Sequence, residues 1–175
     1  MRLASCFIGV AAIAASLTIA KAAPPAPKIT SIAALAELPT PLPFPYDESA
    51  NADTAVDAAL IKAHDEHKRA FIDLGGNWCG DCRVLAALMA QPDVKAFMDK
   101  HYVLVSVDVG RFNKNLQIPD RWNVAADMKN GGVPAILVVD PVTKKLVDAG
   151  HITAIEDARH MDPQALMDWI AQWAK

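Results

Sequence analysis

The chain offers little to a nucleic acid. No stripe of lysine or arginine runs through it and its formal net charge is −3, which argues against nucleic acid as its main partner. Cysteine is scarce, with three in 175 residues. A structural zinc site needs four ligands, so any metal centre here would have to be completed by histidines. Charge is missing near the start: between Arg2 and Lys21 stands only "LASCFIGVAAIAASLTIA". What is present is a chain of one-domain length, 53% hydrophobic and 21% charged, a composition able to build a core.

The uncharged run, followed by "AKA" at Ala20–Ala22, reads as a secretory signal peptide spanning residues 1–22 with a small-x-small cleavage site. The expected location is therefore periplasmic or otherwise exported. An uncleaved membrane anchor is the competing reading, because the run is nearly long enough to span a bilayer; its alanine content and the breaks at Ser16 and Thr18 argue against it. "LASC" matches a lipoprotein cleavage box by its letters, but the apolar segment follows Cys6 rather than preceding it, so Cys6 is expected to leave with the leader. Cys79 and Cys82 then remain, in a compartment where disulfides persist.

Residues 24–45 hold seven of the twelve prolines. Proline removes donors and favours extended backbone, so residues 23–52 read as a stiff linker or loosely packed arm, and residues 53–175 as the domain. Val56, Ala59, Leu60 and Ala63 follow helical periodicity and predict a helix over 54–68. His64 and His67 on its other face offer half a metal site, although a solvated face is the plainer reading of "HDEHK". "AFIDLGG" predicts a short buried strand. A helix should run from Cys82 with Val84, Leu85, Leu88 and Met89 inward, and another from Pro92 with Val94, Phe97 and Met98 inward. "YVLVSVDV" and "AILVVD" are β-branched runs that predict strands, the second turning through "PVTKK" into a hairpin with "LVDAG". Irregular structure with one short helix near 119–127, anchored by Phe112 and Trp122, should join them. Asp162-Pro163 reads as an N-cap with proline in the first helical position, opening a last helix with Leu166, Trp169, Ile170 and Trp173 on one face. This order predicts an α/β domain: a central mixed sheet of about four strands with helices on both faces.

The stretch "GGNWCGDC", Gly75–Cys82, carries the chemistry. The first turn of a helix has unpaired N–H groups and the positive end of the dipole, and a thiolate placed there is stabilised. Cys79 would be the exposed nucleophile and Cys82, one turn on, the group that resolves a mixed disulfide. Two other readings stay open: a metal-handling protein binding copper or zinc through Cys79, Cys82 and His151, and a redox-inert module whose short disulfide loop has little entropy to gain as a staple.

"FIDLGGNWCGDC" followed by "GGVPAILVVD" resembles the thioredoxin superfamily, from about Phe71 to the C-terminus, and "VDVGRFNKN" makes the likeness closest to exported bacterial thioredoxin-like proteins. The resemblance implies a thioredoxin-like fold and a thiol–disulfide oxidoreductase acting on protein thiols and disulfides, with a membrane electron donor or acceptor and no cofactor. It places Asp73 at the family's buried acid, relaying a proton to or from Cys82. Trp78 would shield the site and shape the docking surface. Val133-Pro134 would be a cis bond, with the Val133 backbone pairing an extended substrate and Pro134 keeping metal off the thiols. Two departures stand out: Gly80-Asp81 replaces the usual Gly-Pro, and the lysine usual on the next strand is missing. Gly80 and Asp81 are thus the candidate tuners of the redox pair. A carboxylate at Asp81 disfavours the thiolate and points towards a reductase, while Arg83 and the helix dipole push the other way.

Overall fold

The computed structural model describes residues 22–175; the expected leader, apart from Ala22, and Cys6 with it lie outside the described residues. Helix α1 (Ala52–Asp65) starts where the Asn51 side chain accepts the Thr54 N–H, a cap that satisfies one of the helix's orphan donors. It ends sooner than the predicted 68 because His67 turns into the left-handed region (φ 56°) and the chain enters β1 (Arg69–Gly75) at once. Next come α2 (Gly80–Met89), α3 (Pro92–His101) with proline in its first turn, and β2 (Tyr102–Asp108). The single helix expected near 119–127 is two, α4 (Gln117–Asp120) and α5 (Ala125–Gly131), parted where Asn123 takes φ 58°. After β3 (Ala135–Asp140) and β4 (Lys145–Leu146), a 3₁₀ turn at Ala158–His160 leads to α6 (Pro163–Gln172), capped by Asp162 through the Gln164 and Ala165 N–H groups.

The four strands form one mixed sheet in the order β2-β1-β3-β4, with β1 parallel to β2, and β3 antiparallel to both β1 and β4. The predicted α/β architecture is therefore present. Successive residues of a strand point to opposite faces, and both faces are covered. Ile72, Leu74, Leu137 and Val139 pack with Val56, Ala63, Ile118 and Met128. Phe71, Ile136 and Val138 pack with Leu85, Leu88, Phe97, Leu166 and Ile170. Phe71, Asp73 and Gly75 thus alternate onto the side that α2 covers.

The hairpin's return strand is only two residues long. Beyond Leu146 the side chain of Asp148 takes over from the backbone: its carboxylate accepts the Val138 N–H at 3.1 Å, while Val147 N–H still donates to the Val138 carbonyl. The sequence reading of "LVDAG" as a strand missed this substitution of a side chain for a ladder bond.

The proline-rich stretch, expected as a linker or a loosely packed arm, lies along the domain. Ile32, Leu38 and Tyr46 are buried. The Asp93 carboxylate receives the N–H and hydroxyl groups of both Thr30 and Ser31. Ile29 N–H donates to Gln164, whose amide donates back to the Pro27 carbonyl. Arg83 of α2 donates to the carbonyls of Leu42 and Pro43, with its guanidinium 4.0 Å from the centre of the Phe44 ring. Prolines leave carbonyls without competing donors, and here α2 and α6 supply donors for them.

Candidate active site

Cys79 caps helix α2 in extended conformation, and its sulfur lies 3.1 Å from the Cys82 backbone nitrogen. It therefore sits where the helix dipole and free N–H groups stabilise negative charge on sulfur. The two cysteines form a disulfide. Cys82 is fully buried, and Cys79, expected to be exposed, is nearly so, because its sulfur lies against the Val133 carbonyl. The Cys79 sulfur is 3.4 Å from the carbonyl oxygen of Val133, and the Val133–Pro134 bond is cis. The sequence placed these residues far apart; the fold brings Val133 and Pro134 against the cysteine loop.

Asp73 is completely buried on β1. Desolvation pushes its carboxyl pKa up to about 7, although hydrogen bonds from Tyr46 and Ser106 pull it back. Ser106 is its register partner on β2, at the strand where the usual lysine is missing. Tyr46 was not singled out from sequence. It follows "PLPFP" at the end of the arm, and its hydroxyl donates to both Asp73 oxygens at 2.9 and 3.0 Å. The only available signal was that it is one of two tyrosines in the chain, standing directly after a run of alternating prolines.

Asp81, between the cysteines, is not a bare carboxylate. It accepts from the Arg159 backbone N–H at 3.0 Å, from Arg159 Nε at 3.0 and 3.1 Å, and from Nη2 at 2.6 Å. Asp81 is buried whereas the Arg159 side chain is half-exposed. The same guanidinium lies over Gly80, where an added Cβ would stand 3.3 Å from Nη1. No sequence motif announces Arg159, which lies far beyond the cysteines in the chain. Arg83, expected to act on the cysteines, is engaged instead with the arm's carbonyls.

Trp78 is exposed beside the disulfide. Its indole N–H donates to the Gly110 carbonyl at 2.7 Å, Phe112 meets it edge-on at 6.3 Å, and Arg111 lies 4.8 Å over the ring. These contacts fix a large apolar ring in an exposed position, the arrangement suited to a docking surface. His151 stacks against Trp173 at 5.5 Å. Among the described residues no three His, Cys, Asp or Glu side chains are grouped to hold a metal ion, and no helix is long and apolar enough to cross a membrane.

A protein-family model described as thioredoxin-like matches residues 51–141. Among solved structures, the chain is similar to a disulphide isomerase from Xylella fastidiosa Temecula1, with 34% sequence identity and a TM-score of 0.67, covering 74% of this chain and 96% of that one. No curated protein matches it.

Proposed function

Because the chain belongs to the thioredoxin-like family, we propose that it is an exported thiol–disulfide oxidoreductase, exchanging its Cys79–Cys82 pair with protein substrates as a reductant or isomerase. The observation that carries the reading is the stacking of four parts at one point. A disulfide caps α2, a buried acid stands on the preceding strand, a tryptophan is exposed at the rim, and the Val133 carbonyl before a cis proline faces Cys79.

In the reduced protein the Cys79 thiolate attacks a substrate disulfide, and one substrate sulfur leaves as thiolate. Cys82 then loses its proton to Asp73 and attacks Cys79, releasing the second substrate sulfur; two electrons pass to the substrate and the protein pair is oxidised. In the isomerase mode a substrate thiolate resolves the mixed disulfide instead, and no net oxidation occurs. Val133 offers backbone groups to an extended substrate segment. The similarity to a disulphide isomerase supports the dithiol-dependent direction, and the N-terminal apolar run supports export. Outside the cytoplasm the reductant mode calls for an electron donor across the membrane.

The test is disulfide exchange by purified protein. Cys79→Ser should abolish it, and retained exchange would sink the reading. Equilibration in dithiothreitol or glutathione buffers should give a potential between about −270 and about −180 mV, and a value of about −120 mV would make the protein an oxidant.

A further inference from the structure

The buried acid has a neutral partner from an unexpected place. Both Asp73 oxygens are reached by one hydroxyl, that of Tyr46, which belongs to the arm rather than to the sheet. Tyr46 is itself held by the active-site loop. Asn77, two residues before Cys79, accepts the Tyr46 N–H at 3.2 Å and donates to the Tyr46 carbonyl at 2.8 Å. Gly75 gives the hydroxyl its room. A Cβ there would run into Tyr46 Oη and stand 2.8 Å from the Cys82 sulfur, so the phenol and the resolving sulfur are neighbours across the glycine. Among the described residues, other polar groups that act on this point include Ser106 on β2 and the Asp108 carboxylate, which is paired with Lys114 at 2.8 Å. Among the described residues no lysine or arginine hydrogen-bonds to Asp73.

We infer that Tyr46 is a positioning residue for the proton that Cys82 gives up: its hydroxyl fixes the Asp73 carboxylate beside the resolving sulfur and sets how readily that carboxylate is ionised. The use of this device rests on the oxidoreductase reading; its geometry does not. During resolution the Cys82 S–H bond breaks and the proton goes to Asp73. The sulfur's electron pair forms the bond to Cys79, and the substrate sulfur leaves with the pair of the broken bond. Burial and the adjacent carboxylate push the Tyr46 phenol far above its ordinary range, so it remains a donor at every pH where the protein works. A donor to the ionised acid favours that form, which makes the base available at lower pH than burial alone would allow.

The test uses the full chain, oxidised, with its aspartate carboxyls labelled for ¹³C NMR, and Asp73→Asn for assignment. In Tyr46→Phe, which keeps the ring and loses only the hydroxyl, the Asp73 midpoint should rise by about one pH unit. In single-turnover resolution of a Cys79 mixed disulfide between pH 5 and 9, the inflection should move up with it. The rate at pH 6 should fall about tenfold, in proportion to the ionised fraction lost. Added to Asp73→Asn, Tyr46→Phe should change nothing further. An unmoved midpoint overturns the inference, as does a pH shift that persists without Asp73. If the wild-type protein exchanges no disulfides, the oxidoreductase reading fails, and the NMR midpoint alone then decides whether Tyr46 governs Asp73.

Discussion

Arg159 grips the carboxylate of Asp81 with its backbone N–H, Nε and Nη2, so the acidic residue inside the C-x-x-C carries its own counter-charge from the segment before α6. From sequence alone Asp81 argues for a destabilised thiolate. With Arg159 in place, the pair presents opposite charges to the sulfurs, and the two can be separated by substitution. Arg159→Gln should leave a buried carboxylate by the cysteines, disfavour the thiolate and lower the potential. Asp81→Asn should leave the guanidinium and raise it. Shifts of about 20–40 mV, roughly 1–2 kcal/mol, of opposite sign are expected in glutathione equilibration. Shifts of the same sign would show that the pair acts through loop geometry rather than charge.

Cys82→Ser should convert a transient species into a stable one. With Cys79 still at the helix N-terminus and no resolving thiol, mixed disulfides with substrate proteins should accumulate and be visible by non-reducing electrophoresis and mass spectrometry. Cys79→Ser in parallel should trap none.

Asp73 links activity to stability in opposite directions. Its ordinary carboxyl value is 3.8, and in the fold burial pushes it up to about 7. The unfolded chain therefore gives up this proton first. Stability from this group is full below about pH 4, declines as pH rises towards 7 and is level above that. Asp148, also buried and raised to about 7, acts over the same window. Asp73→Asn should thus stabilise the protein at pH 8 by on the order of 2 kcal/mol, with little change near pH 4. It should also slow resolution about a hundredfold. Denaturant melts at the two pH values, beside single-turnover rates, check both signs.

Gly75→Ala is a small change in a filled space. The new methyl would press on Tyr46 Oη and on the Cys82 sulfur. Overpacking of this kind costs about 1–3 kcal/mol. Because both neighbours belong to the site, exchange activity should drop along with the melting temperature, whereas an alanine tolerated without either loss would place the glycine outside the machinery.

The arm can be loosened through the side chains that hold it. Asp93 is held below its ordinary carboxyl range because the Thr30 and Ser31 groups outweigh the effect of burial. A depressed carboxyl stabilises above its unfolded value and loses its effect only as pH falls through the lower folded value, so this contact should survive mild acid. Asp93→Ala combined with Arg83→Ala should make residues 28–45 more susceptible to limited proteolysis at pH 7 than they are in the wild type.

Much of the architecture was legible because its signals are local. The short buried run around Ile72 and the β-branched runs around Val105 and Val138 became β1, β2 and β3, and Asp162-Pro163 opened α6 where expected. Cys79, Cys82 and the Val133-Pro134 loop were legible as a pattern in order along the chain. What escaped depended on partners distant in sequence. Tyr46 and Arg159 have no local mark of function, and each is identified only by the carboxylate it meets, Asp73 and Asp81. The prolines of residues 24–45 implied extended backbone, which a 3₁₀ turn interrupts at Leu35–Glu37, and they said nothing of Asp93, Arg83 or Gln164, the side chains that hold it. The break between α4 and α5 rests on one left-handed residue, Asn123, that periodicity does not register.

The hydrogen bond from Tyr46 to Asp73 also works in reverse. If docking the tyrosine favours ionised Asp73, then ionising Asp73 favours docking by the same free energy, as thermodynamic reciprocity requires. On the proposed mechanism, each proton that Asp73 accepts from Cys82 would weaken the arm's grip slightly, and each proton it loses would tighten it. The N-terminal strap and the proposed redox cycle would then be two readouts of one equilibrium.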